Sequence, residues 1–282
     1  MSAAQETPAA AVPAASVGRA SIAWRGGVFA PGRRELAEEV PVAFSYDNAV
    51  HAVMMATPAD LADFALGFSL TEGIVSTAAD IAELEVVPVE AGVNLRMWLA
   101  PGMGERQAAR RRRSMGPAGC GMCGLESLAE ASRAVPVVAG GRRFGAGEVA
   151  AALAALPAGQ ALNRATHAVH AAGFWADGAM RLLREDVGRH NALDKLAGAL
   201  AAAALDPADG IVVLSSRLSV ELVQKAAMIG APLLAAVSAP TALAVRIAEA
   251  AGITLVGIGR GDGFELFCHR QRVMGEQGDD GQ

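Results

Sequence analysis

The pattern that most restricts the fold lies between Ile211 and Ile258. Ile211-Val212-Val213-Leu214 is a short β-branched run that reads as a buried strand. Residues 219–229 follow with helical spacing, and Gly230 supplies the C-cap. Residues 232–237 read as a second strand, 241–251 as a second helix closed by Gly252, and 253–258 as a third strand. Two successive strand–helix–strand units imply parallel pairing with right-handed crossovers. Upstream, residues 166–175 and 179–185 form two expected strands around Asp177-Gly178, a strong hairpin signal. A helix is expected over 191–203.

That topology gathers polar residues. Ser215-Ser216-Arg217, Ser238-Ala239-Pro240-Thr241 and Gly259-Arg260-Gly261-Asp262 each follow one of the three strands. In open α/β sheets, ligands bind beyond the carboxyl ends of the strands. Two of the groups also open helices, where free N–H groups and the helix dipole favour anions. Arg217 and Arg260 can add charge-assisted contacts to phosphate. Two readings stand: a site for a phosphorylated ligand, or ordinary caps and turns.

The first part of the chain has a different texture. Residues 1–20, rich in Ala, Pro and Ser, read as a disordered tail without the layout of a signal peptide. Residues 21–104 read as an α+β region. Gly26-Gly27 and Pro31-Gly32 are turn signals. Strands are expected at 39–44, with Pro41 arguing for an edge, at 51–55, at 83–87, with Pro88 as a stop, and at 93–99. Thr57-Pro58 has the chemistry of an N-cap followed by a first-turn proline, and the helix it opens can end at Gly73. Glu72, near that end, reads as a solvated charge rather than a catalytic group. Later helices are expected at 125–134 and 147–156, with Pro157-Ala158-Gly159 as a break. Residues 275–282 read as a second disordered tail.

Residues 105–124 form an expected flexible loop. Arg106 and Arg110 to Arg113 precede Cys120-Gly121-Met122-Cys123, which glycines flank. Positive charge lowers a thiol pKa toward physiological pH and raises its reactivity. The spacing fits a redox dithiol, half a zinc site or a sulfur carrier. A zinc site lacks its second pair: Cys268-His269 lies far away, and His167 and His170 would point to opposite faces of a strand. A thioredoxin-type motif belongs in a strand–helix–strand context that this loop lacks. No metal site is expected. Three cysteines make a poor disulfide framework and suit a reducing cytoplasm.

Net charge is −5, so no global basic field favours nucleic acid. The uncharged run between Lys225 and Arg246 has the length of a membrane span. Gly230, Pro232, Ser238 and Pro240 divide it into helix end, strand and helix start, so it reads as α/β core. The densest polar cluster is Glu185-Asp186-Val187-Gly188-Arg189-His190-Asn191. Either His190 acts as acid or base with Asp186 orienting it, or Asp186 caps a helix and His190 packs. Asp194 and Lys195 read as helix surface.

The run from Glu185 to Lys195 resembles the signature of the formate dehydrogenase accessory sulfurtransferases, the FdhD family. So do Cys120 to Gly124, Thr57 to Phe68 with Glu72-Gly73-Ile74-Val75, Arg217 to Lys225, Ser238 to Thr241 and the glycine–arginine turn of Gly257 to Gly263. The resemblance implies an α/β fold with a cytidine-deaminase-like domain, here residues 125–274, plus the smaller α+β domain. It implies a cytoplasmic homodimer that takes sulfur from a cysteine desulfurase as a cysteine persulfide. The sulfur passes to a molybdenum cofactor, a bis(molybdopterin guanine dinucleotide), for use by formate dehydrogenase. By position it implies Cys120 as persulfide carrier and Cys123 as its partner. It places the nucleotide-bearing cofactor at Ile258, Gly259, Arg260, Gly261, Asp262 and Gly263. A non-catalytic chaperone for the same cofactor is the alternative, and no membrane partner is expected. Cys268 stands outside the family pattern and reads as incidental.

Overall fold

The chain opens with a hairpin of β1 (Ser16–Arg25) and β2 (Val28–Ala37). Its turn, Gly26-Gly27, has positive φ at both residues (57° and 86°), which suits glycine. Here a computed structural model describes residues 11–102, 135–261 and 263–275. Strand β1 begins inside the expected tail, so that tail does not extend to residue 20. Pro31-Gly32, expected as a turn, lies within β2. A two-stranded ribbon has only edge strands, which tolerate proline.

Next come β3 (Val40–Tyr46), β4 (Ala49–Ala56), α1 (Leu61–Thr71), β5 (Ile81–Val89) and β6 (Gly92–Leu99), with strand order β4-β3-β6-β5. Two proline expectations change. Pro41 sits in an interior strand. It is tolerated because pairing of β3 with β6 starts only at Val42↔Val93. Pro88 does not stop β5, which runs on to Val89 as an edge strand. One face of this sheet is apolar. Phe44, Tyr46, Leu95 and Met97 bury against Phe64 and Phe68 of α1. Phe44 stacks on Phe68 at 4.1 Å and meets Phe64 edge-on at 4.9 Å.

The remainder builds a six-stranded mixed sheet. After β7 (Phe144–Gly145) come α2 (Ala146–Gly159), α3 (Ala161–Thr166), β8 (His170–Ala176), β9 (Ala179–Asp186) and α4 (Arg189–Ala202). Then follow β10 (Ile211–Leu214), α5 (Val220–Met228), β11 (Leu233–Ala236), α6 (Ala242–Ala251), β12 (Thr254–Arg260), β13 (Gly263–Cys268) and β14 (Val273–Met274). The strand order is β13-β12-β11-β10-β8-β9. The expected parallel pairs β10–β11 and β11–β12 are present, as is the β8–β9 hairpin. The expected strand at 166–175 is shorter: Thr166 closes α3, and His167 is left-handed at φ 56°. Pro157 falls in the last turn of α2 and does not break it. The helix expected at 125–134 lies outside the described residues.

Helix α2 covers one face of the sheet through Val149, Leu153 and Leu156. Helices α4, α5 and α6 cover the other. The uncharged run after Lys225 is core, as its pattern implies: Leu233 to Ala236 are fully buried. Helix α1 joins the two sheets by crossing α4 in close contact. A Cβ on Gly67 would lie 1.7 Å from the Asp194 carbonyl oxygen, and one on Gly198 would lie 1.9 Å from that of Asp63. Only glycine permits that approach.

Candidate functional site at the carboxyl edge of the six-stranded sheet

Strand β8 is antiparallel to both β9 and β10, so β9 runs the same way as β10, β11 and β12. Four carboxyl ends therefore share one edge. Helices α4, α5 and α6 start from it, one more helix N-terminus than the sequence pattern alone supplied. Each brings unpaired N–H groups and the positive end of its dipole.

The three expected loop groups converge there. Leu218 and Pro240 form a parallel bridge. Thr241 N donates to Leu218 O at 3.0 Å, and Ile258 N donates to Ser238 O at 3.1 Å. Arg260 Nε donates to Val237 O at 3.2 Å. Thr241 is an ordinary cap, its Oγ1 accepting from Ala244 N. Ser219 precedes α5 without making a side-chain cap. The turn from β12 to β13 carries backbone strain: Ile258 holds φ 53° and is 40% exposed. A left-handed branched residue costs about 1–2 kcal/mol, and such strain collects at functional sites. On its inner side a Cβ on Gly259 would lie 2.6 Å from Leu153 Cδ1 and 3.1 Å from Ala236 O. Of the expected cofactor residues, the structure brings Ile258, Gly259, Arg260, Gly261 and Gly263 to this edge. Asp262 lies outside the described residues, as do Cys120, Cys123 and the arginines at 106 and 110–113.

Beneath the edge lies a buried polar network that sequence reasoning missed. Asp186 and Lys195 form an ion pair at 2.6 Å with both side chains fully buried. Asp186 Oδ1 accepts from Gly188 N and Asn191 Nδ2, and its Oδ2 accepts from Thr57 N at 3.0 Å. Lys195 Nζ donates to Thr57 O at 2.9 Å, and Val187 N donates to Thr57 Oγ1 at 3.1 Å. Thr57 is thus committed to the second sheet's edge and is not the N-cap of α1. That helix starts later, behind Asp60. Glu185 is structural too, because its carboxylate accepts from Leu162 N and Asn163 N and so caps α3.

A second knot ties α1, α4 and α5 together. Lys225 Nζ lies 2.7 Å from Glu72 Oε1 and 2.9 Å from Asp194 Oδ1, and it donates to Thr71 Oγ1 at 3.1 Å. Thr71 Oγ1 in turn donates to Asp194 at 2.6 Å. Burial pushes Asp194 up to about 6, against the pull of Lys225. Burial also disfavours the Lys225 ammonium, but Asp194 and Glu72 more than reverse this, so its pKa lies above the usual lysine value. Neither Asp194 nor Lys195 is helix surface, and Glu72 is not a solvated charge. The available signal was the absence of polar surface around Asp194 and Lys195: Leu193, Leu196, Ala197 and Gly198 leave α4 no solvated face there.

His190 Nε2 lies 3.7 Å from Glu221 Oε2, so its acidic neighbour is on α5. Asp186 does not orient it, being occupied by Lys195 and three N–H donors. Burial, with Arg189 and Lys225 nearby, lowers the His190 pKa to about 4, against the pull of Glu221. His170, at the same edge, is lowered by burial and by Arg189. Cys268 is buried, donates to Ile253 O at 3.1 Å and has its thiol pKa raised by burial, all properties of an inert core thiol. Among the described residues no group of three or more His, Cys, Asp or Glu could hold a metal ion. None of their helices is long and apolar enough to cross a membrane.

Fold and edge together define a class: an α/β protein in which four co-directional strands end at one edge with three helix N-termini, joined through buried ion pairs to a smaller α+β unit. A solved structure described as a formate dehydrogenase accessory protein, from Desulfotalea psychrophila, has the same fold. Its TM-score is 0.72 at 24% identity, covering 92% of this chain and 99% of that one. The chain belongs to the FdhD/NarQ family, whose model matches residues 37–274. It is 52% identical to the sulfur carrier protein FdhD of Agrobacterium fabrum, over 90% of this chain and 95% of the relative. It is 50% identical to that of Cupriavidus necator, over 90% and 88% respectively.

Proposed function

We propose that this protein is a sulfur carrier serving formate dehydrogenase. The observation that carries the reading is its identity, near 50% over about nine-tenths of the chain, with relatives named sulfur carrier protein FdhD. In this reading the Cys120 thiolate attacks the outer sulfur of a persulfide on a cysteine desulfurase. The desulfurase cysteine leaves as a thiolate, and Cys120 becomes the persulfide. Cys123 is its partner thiol. The acceptor is a molybdenum cofactor of the bis(molybdopterin guanine dinucleotide) type, held as substrate.

The carboxyl edge supports the choice of acceptor. Three helix N-termini, Arg217, Arg260 and the close packing at Gly257 and Gly259 suit a large ligand with several phosphates. We further read the six-stranded unit as cytidine-deaminase-like, the protein as a homodimer, and its setting as the cytoplasm.

The chaperone reading rests on the same edge, which holds anions without the cysteines. Formate dehydrogenase activity, measured in cells that lack their own carrier and express variants of this chain, separates the two. Loss with Cys120→Ala supports sulfur transfer. Full activity with both cysteines replaced, and loss with Arg260→Ala, supports the chaperone.

A further inference from the structure

Four polar atoms near the starts of α4 and α5 are buried without a hydrogen-bond partner: Arg189 Nε, His190 Nε2, Ser219 Oγ and Glu221 Oε2. A buried polar group left unpaired is strongly disfavoured, and most such groups in folded proteins find partners. Ser219 and His190 both sit beside the Glu221 carboxylate without closing a full hydrogen bond, and Arg189 Nε has no acceptor, so at an edge with three helix N-termini the four form a loosely made hydrogen-bond set. Two of the four, Arg189 Nε and Ser219 Oγ, can donate to an anion. The other two face each other across 3.7 Å, slightly too far for a hydrogen bond.

We propose that Arg189, His190 and Ser219, with Glu221 behind the imidazole, form the centre of this edge that grips an anionic oxygen group, and that His190 takes up one proton as the anion binds. This rests on reading the edge as anion-binding. It adds which side chains do the holding and the protonation state in which they hold.

The charges around His190 explain the coupling. Arg189 on its own helix and Lys225 on α5 disfavour an imidazolium, and Glu221 on α5 favours one. An anion against Arg189 cancels part of the opposing charge and adds its own attraction. The protonated imidazole then closes on Glu221, and all four atoms gain partners. Uptake follows in sign: a site whose pKa rises on binding takes a proton from solution at any pH between its free and bound values.

Proton NMR of the imidazoles tests this directly. The full chain has five histidines, and His190→Gln assigns the one of interest. The probe is sulfate, which does not itself titrate between pH 4 and 8, compared with chloride at matched ionic strength. Sulfate is expected to raise the His190 midpoint by about one unit or more, a tenfold change in proton affinity. Arg189→Gln and Ser219→Ala are expected to diminish that shift while the remaining spectrum stays that of a folded protein. A midpoint that sulfate leaves where chloride does overturns the proposal, as does a shift undiminished in both variants. Sulfur gain at Cys120 without the sulfate shift sinks this centre alone. The shift without sulfur gain sinks the carrier reading and leaves the centre standing.

Discussion

Lys195 shows what a single residue decides here. Its ammonium is fully buried against Asp186, and its partners tie the end of β4 to the start of α4. Lys195→Met leaves the Asp186 carboxylate buried and uncompensated. We expect a loss of about 3–5 kcal/mol in urea unfolding. His190 gives a pH signature of known sign. Its folded value, about 4, lies below its ordinary 6.5. The unfolded chain therefore binds more protons between those values, and stability falls as pH falls from 6.5 to 4. The shift corresponds to about 3 kcal/mol. Asp194 opposes it: with its value raised to about 6, stability falls as pH rises from 3.8 to 6. His190→Gln is thus expected to remove the acid-side loss and expose the Asp194 slope, so that unfolding free energy rises as pH falls through this window. An unchanged pH profile in that variant contradicts the placement of His190. These residues were only half legible in the sequence. The polar cluster of Glu185 to Asn191 was visible, but one partner of Asp186 is Thr57, more than 120 positions away. No local spacing reports a hydrogen bond to so distant a residue.

At the scale of elements, the parallel units, the β8–β9 hairpin and the helix caps at Gly230 and Gly252 could be read from periodicity and glycine placement. The prolines misled. Whether a proline is tolerated depends on which side of its strand is paired, and strand order is not a local property: Pro41 escapes because pairing with β6 begins one residue later, Pro88 because β5 is an edge. The crossing of α1 and α4 was likewise invisible, since Gly67 and Gly198 look like poor helix residues until their neighbours are known. Gly67→Ala forces Cβ against a backbone carbonyl that cannot rotate away. It is expected to lower stability by about 3 kcal/mol, toward the upper end of overpacking costs. Gly145→Ala serves as control, since a Cβ there meets nothing within 4 Å. Thermal unfolding of the two variants checks the crossing: equal midpoints contradict it.

For the whole molecule, the β1–β2 hairpin lies outside the main cores and meets the rest mainly through α3. Ile22, Trp24, Val28 and Phe29 are more than 60% exposed, and the family match begins at residue 37. Removing residues 11–36 is expected to change the thermal midpoint little, because neither main core uses the hairpin. A collapse of the fold on that truncation contradicts this division. The two larger units behave differently. They share buried ion pairs and a glycine crossing, so they are expected to unfold in one transition in calorimetry. The proposed site spans scales in the same way: the edge proposed to receive an anion is built by four strands, whereas the thiols proposed to carry sulfur lie at 120 and 123.

The central claim, that this chain carries sulfur on Cys120, is tested most directly by intact-mass measurement after incubation with a cysteine desulfurase and cysteine. The expected result is one added sulfur atom on the wild-type chain, removed by a reducing agent and absent from Cys120→Ala. No gain on the wild type, or an undiminished gain on Cys120→Ala, contradicts it.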